Sequence, residues 1–138
     1  MLNLSAEASA DLAERLHTEI VAWITTVTPG GQPQSSPVWF LWDGREFLVY
    51  AQPRSWKVRN IRANPKVSLH LNSDREGGQV ATFEGSARIF EGHPPAHEAD
   101  AYLAKYREGI AGIGMTPEQL GAVYSTALRI TPTRIRVY

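Results

Sequence analysis

Between Arg54 and Lys66 the chain carries Arg54, Lys57, Arg59, Arg62 and Lys66 and no acidic residue, although fourteen basic and fourteen acidic side chains balance over its 138 residues. The excess of positive charge is therefore local. Residues 55–63, SWKVRNIRA, take helical spacing, with Ser55 at the N-cap and Asn64-Pro65 as the stop. A helix N-terminus presents free N–H groups and the positive end of the helix dipole. A serine hydroxyl and a first-turn lysine would add two further donors, which together suit a phosphate. Taken alone, such a strip is more often a solvated face, so its meaning turns on the elements around it.

Other chemistry finds less support. With no cysteine there is no thiolate nucleophile, disulfide or zinc-cysteine cluster. His93 and His97 have ligand-like spacing, but Pro94-Pro95 places His93 outside the helix that follows and no third ligand stands near, so both are expected at the surface and no metal is expected. His17 and His70 are isolated, and no serine lies in a nucleophile motif. Trp23, Trp39, Trp42 and Trp56 could stack on a ligand but fit core or interface positions, with at most Trp39 and Trp56 assigned to a site.

The elements that must position these groups are mostly strands. Residues 5–17 read as a helix capped by Ser5, with Ala8, Leu12 and Leu16 on one face, lidding one end of a barrel. A β-branched strand, 20–28, turns through TPGGQP into strand 34–42, where Pro37 demands an edge or a bulge. Asp43-Gly44 folds that strand into 46–51. After the 55–63 helix come strand 67–72, the polar loop 73–78 and a long strand 79–91 with Ala81, Phe83, Gly85, Ala87 and Ile89 on one face. The small face leaves room for a flat ring or for a close neighbouring strand.

Pro94-Pro95 opens a helix with Ala99, Tyr102, Leu103, Tyr106 and Ile110 as its apolar stripe, and Thr116-Pro117 starts another with Gln119 completing a capping box. In the last strand, 126–138, inward parity changes across Thr131-Pro132, as a bulge requires. About six strands and three or four short helices predict a mainly β chain, a barrel with helical plugs, as one domain over residues 1–138.

The order strand, loop, Ser-x-Lys, helix, Asn64-Pro65-Lys66-Val67-Ser68-Leu69 resembles the FMN-binding split barrels of the pyridoxamine-phosphate-oxidase class, and most closely their deazaflavin-dependent branch. The resemblance implies a six-stranded antiparallel split β-barrel. It implies that Ser36, Pro37, Val38 and Trp39 lie along a tricyclic ring, that Tyr50 and Ala51 approach it from the next strand, and that Ser55 and Lys57 hold a phosphate. Gln79 matches a cofactor-contacting glutamine. Trp56 stands where the FMN-binding oxidases usually carry arginine, which favours the deazaflavin coenzyme F420 over FMN. The C-terminal arginine and histidine that hold the vitamin substrate have no counterpart in LRITPTRIRVY. Arg59, Arg62 and Lys66 would suit the anionic tail of F420.

Composition sets the outer bounds. With 43% hydrophobic and 20% charged residues the chain is not of disordered type. Zero net charge offers no field for nucleic acid or an anionic membrane, and no apolar run approaches the ~20 residues needed to cross a bilayer. With no signal-like N-terminus, a cytoplasmic location is expected. The expectation is an F420-dependent reductase passing a hydride to a small unsaturated substrate, as a homodimer with its cofactor between subunits. The alternatives are an FMN-dependent oxidoreductase of the same fold and a non-catalytic flavin or tetrapyrrole binder. No catalytic acid or base stands out.

Overall fold

The computed structural model describes residues 6–138; Ser5, expected to cap the first helix, lies outside the described residues. Helix α1 (Ala6–Thr18) places Leu12 and Leu16, four residues apart, in the main core. Strands β1 (Val21–Val27), β2 (Pro33–Trp39), β3 (Leu41–Trp42) and β4 (Phe47–Ala51) follow, then helix α2 (Trp56–Ala63) and strands β5 (Lys66–Leu71) and β6 (Ala81–Ile89). A 3-10 turn (Ala96–Glu98), helices α3 (Asp100–Gly112) and α4 (Pro117–Val123) and strand β7 (Thr126–Val137) complete the chain.

The strands form one sheet in the order β2-β1-β5-β6-β7-β4-β3, with every pairing antiparallel. Among the described residues there are seven strands rather than six, because the segment expected as one strand over 34–42 breaks at Phe40. Its two halves pair at opposite edges of the sheet. A chain that passes from one edge to the other through a single residue forces the sheet to curl until its edges face, which makes a split barrel. Pro37 lies on the edge strand β2 opposite Trp23, where its missing N–H breaks no ladder bond on the open side.

Two further boundaries move for local reasons. Gln79 does not begin the long strand; it adopts a left-handed φ of 57° in the preceding loop, and β6 starts at Ala81. No helix opens at Pro94-Pro95, because Pro95 and Ala99 are both extended and leave only the 3-10 turn between them. The expected bulge is present: the β6–β7 register slips between Glu84, opposite Arg134, and Gly85, opposite Pro132. A Cβ on Gly85 would stand 2.5 Å from the Thr131 carbonyl oxygen, so glycine here serves the close approach of β7 rather than a ring.

Strand β4 is buried on both faces. Phe47, Val49 and Ala51 point into the barrel with Ile24, Leu69, Phe83, Leu128 and Ile130. Leu48 and Tyr50 point outward under Tyr102, Leu103, Tyr106 and Ile110 of α3 and Leu120 of α4. Among the described residues no helix is long and apolar enough to cross a membrane.

Candidate functional site

Where this outer core meets the end of the barrel, a cavity of about 200 Å³ opens between the ends of β2 and β4, the start of α2, and helices α3 and α4. Of the residues singled out from sequence it brings together Pro37, Val38, Trp39, Tyr50, Ala51, Ser55 and Lys57. The indole of Trp39 is held in place by stacking on Tyr106, with ring centres 4.7 Å apart and planes 8° from parallel. Gly109 leaves room for it, since a Cβ there would touch the indole at 3.3 Å.

Helix α2 is anchored by its buried face. Val58 and Ile61 join the main core, and the Asn60 amide, 5% exposed, donates to Thr26 Oγ1 and Gln34 Oε1, both at 2.9 Å. That clamp fixes the helix start against β1 and β2. Ser55 occupies the N-cap position with extended backbone, yet its hydroxyl caps nothing: Oγ is buried and has no hydrogen-bond partner among the described residues. Buried hydroxyls are normally satisfied. Lys57, half-buried two residues on, has no ion-pair or hydrogen-bond partner among the described residues, and burial pushes its ammonium below the usual lysine range. An orphan hydroxyl, an unpaired cation and the first N–H groups of a helix thus converge on one cavity, and the ligand chemistry that would satisfy all three is an anion.

The remaining residues lie elsewhere. Ser36 sits on β2 opposite Ile24 and does not line the cavity. Trp56, the residue after Ser55, is 65% exposed. Arg59 is exposed, its guanidinium donating to the Arg54 carbonyl at 3.3 Å. Arg62 lines a second cavity of about 200 Å³ that shares Tyr50 with the first. Gln79 is remote from both; its carbonyl accepts from Arg15 Nη1 at 2.8 Å.

The two histidines expected at the surface are half-buried. His93 Nε2 lies 3.1 Å from Arg129 Nη2, a group that only donates, so the proton belongs on Nδ1, 3.2 Å from the Tyr50 hydroxyl. The Tyr50 hydroxyl in turn donates to the Pro94 carbonyl at 2.8 Å, and burial holds its pKa up at about 12. It is a tied, neutral phenol. His97 packs on α4, where a Cβ at Gly121 would fall 2.3 Å from its Nδ1.

Sequence reasoning missed Gln52, Tyr102, Ile113, Leu120 and Tyr124, which complete the cavity wall. Tyr102 was hidden in an apolar stripe and read as core. A polar-tipped tyrosine at a position where leucine or phenylalanine would do was the available signal.

An antiparallel sheet curled edge to edge, with a helix start opening on a cavity beside its edge strand, defines a split-barrel protein. The chain belongs to the pyridoxamine 5'-phosphate oxidase family, whose model matches residues 8–138. Among solved structures it is similar to an F420 reductase, 23% identical, covering 89% of this chain and 94% of that one with a TM-score of 0.67. It is similar to a conserved hypothetical protein from Mycobacterium tuberculosis, 23% identical over 99% and 86% of the two chains, TM-score 0.75. A haem storage protein from Vibrio cholerae is 18% identical over 93% and 92%, TM-score 0.66. At these identities the likeness carries the fold alone. No curated protein matches the chain.

Proposed function

We propose that this chain is an F420-dependent reductase that works as a homodimer and reduces a small unsaturated organic substrate. The observation that carries the reading is the pair of unsatisfied donors, Ser55 and Lys57, at the start of α2 and facing one cavity. The Ser55 hydroxyl, the Lys57 ammonium and the helix N–H groups would hold the cofactor's phosphate. Arg62 and Arg59, on the same helix, would receive the carboxylates of its tail. Pro37, Val38 and Trp39 would flank the ring, with Tyr50 and Ala51 at its other side.

When bound, a reduced deazaflavin supplies a hydride to an electron-poor carbon, and a proton from water or another donor completes the reduction. The protein's part is binding, orientation and exclusion of water. Tyr50 orients rather than donates, since its hydroxyl is already engaged with Pro94.

Trp56 at 65% and Ile113 at 53% exposure stand near the mouth of the cavity as apolar surface that a second copy would cover. A second reading, an FMN-dependent oxidoreductase, is favoured by the same cradle, because FMN ends in a phosphate and needs no basic tail strip. Titrating the purified protein with F420 and with FMN, following fluorescence, tests both. Tighter binding of F420 is expected, preference for FMN selects the second reading, and a copurifying haem band with no flavin binding contradicts both.

A further inference from the structure

Three buried tyrosines stand together beside the cavity, and their hydroxyls differ in what they do. Tyr50 donates to the Pro94 carbonyl, and Tyr106 is engaged with the backbone of Phe40 and Ile20 at 2.7 to 2.9 Å. Tyr102 lies between them, its ring centre 4.9 Å from each, edge-on to Tyr50 and tilted to Tyr106. It is 2% exposed and lines the cavity, yet its hydroxyl makes no hydrogen bond among the described residues. The hydroxyl oxygen is not fully enclosed, so this one polar atom of an otherwise buried side chain opens on the cavity. Phenylalanine would make the same ring contacts in the outer core, so packing alone does not explain a hydroxyl aimed into the cavity.

We infer that Tyr102 contacts the ligand, its hydroxyl donating a hydrogen bond to an acceptor atom on the edge of a flat heteroaromatic ring whose phosphate sits at Ser55 and Lys57. This rests on the function proposed above and adds the ring's hydrogen-bonding partner to it. The group acts as a donor, because burial and the neighbouring tyrosines keep its proton on far above neutral pH. Tyr124, on the same wall, is only half-buried, so its ring is less firmly held toward the cavity than that of Tyr102.

The test is Tyr102→Phe titrated beside wild type with F420 and with FMN, recording affinity, the visible absorption of the bound ring, and the melting temperature of the free protein. Affinity should fall about 3- to 10-fold, as for one neutral hydrogen bond. The bound ring's absorption bands should shift, and the melting temperature should hold. A packing role alone would leave the spectrum unmoved. Unchanged affinity and spectrum, with binding still lost in Lys57→Ala, overturns the role of Tyr102 alone. If wild type binds neither ligand, the proposed function falls and this inference with it.

Discussion

The hydroxyl of Tyr106 accepts a hydrogen bond from the N–H of Phe40 at 2.8 Å and lies within donating distance of the Phe40 carbonyl, 2.9 Å away. One side chain of α3 thereby gives an acceptor to the N–H of the residue at which the chain crosses from one sheet edge to the other. Its single proton is shared between the Phe40 carbonyl and the Ile20 carbonyl, 2.7 Å away. Neither backbone group of Phe40 has a ladder to join. Tyr106→Phe would leave the Phe40 N–H buried without an acceptor, at about 1 to 3 kcal/mol. Chemical denaturation should show that loss, and an unchanged midpoint would mean the split is held by apolar contacts alone.

Lys105 reinforces the same point, its ammonium 2.9 Å from the Phe40 carbonyl and 3.8 Å from the centre of the Phe40 ring. Burial nevertheless dominates and brings its pKa down to about 8, against 10.5 for a free lysine, with Glu19 opposing weakly. Below pH 8 the folded and unfolded chains both hold this proton, and the cost of burying the charge is present in full. Between pH 8 and 10.5 the folded chain has released it while the unfolded chain has not, so stability rises with pH. Wild type should gain melting temperature relative to Lys105→Met between pH 7.5 and about 9.5. A constant difference across that window contradicts the shift.

Asn60 touches nothing in the cavity, yet it fixes the helix that opens on it. Asn60→Ala removes both donors and leaves Thr26 Oγ1 and Gln34 Oε1 without them, costing about 1 to 3 kcal/mol. Asn60→Asp should cost more, because it buries a carboxylate and sets it against the Gln34 carbonyl oxygen, with only the Thr26 hydroxyl able to turn and donate. Cofactor affinity should fall in both variants, measured under conditions where each remains folded. Unaltered affinity would mean that α2 holds its place through Val58 and Ile61 alone.

A dimer that covers Trp56 and Ile113 predicts a particle of twice the 15.3 kDa chain by light scattering. Trp56→Glu should shift it toward monomer with little loss of stability, since the indole is 65% exposed within one chain. A wild-type monomer at micromolar concentration contradicts this arrangement.

Much of the fold was legible because local chemistry and tertiary structure agree. The capping box of Thr116 and Gln119, the Asp43-Gly44 hairpin, the edge position of Pro37 and the bulge near Pro132 each follow from a constraint carried by the residues themselves. The break at Phe40 was not legible. Nothing local distinguishes one strand of nine residues from two strands paired with different partners; that choice is made by Tyr106, 66 residues away. The burial of His93 is likewise a property of Arg129 and Tyr50, not of its own neighbours in sequence. Of the cavity, Ser55 and Lys57 were legible from the helix start and the strand residues from the family resemblance, whereas Tyr102, Leu120 and Tyr124 enter from the helical segments, whose apolar positions look like ordinary core.

The central claim is that Ser55 and Lys57 cradle a phosphate, and titration of Lys57→Ala against wild type tests it most directly. Loss of a charge-assisted hydrogen bond should weaken F420 and FMN alike by about 1.5 to 3 kcal/mol while leaving the melting temperature nearly unchanged. Adding Arg62→Ala should weaken F420 further and FMN little. If Lys57→Ala binds both cofactors as tightly as wild type, the phosphate does not sit at the start of α2 and the account fails.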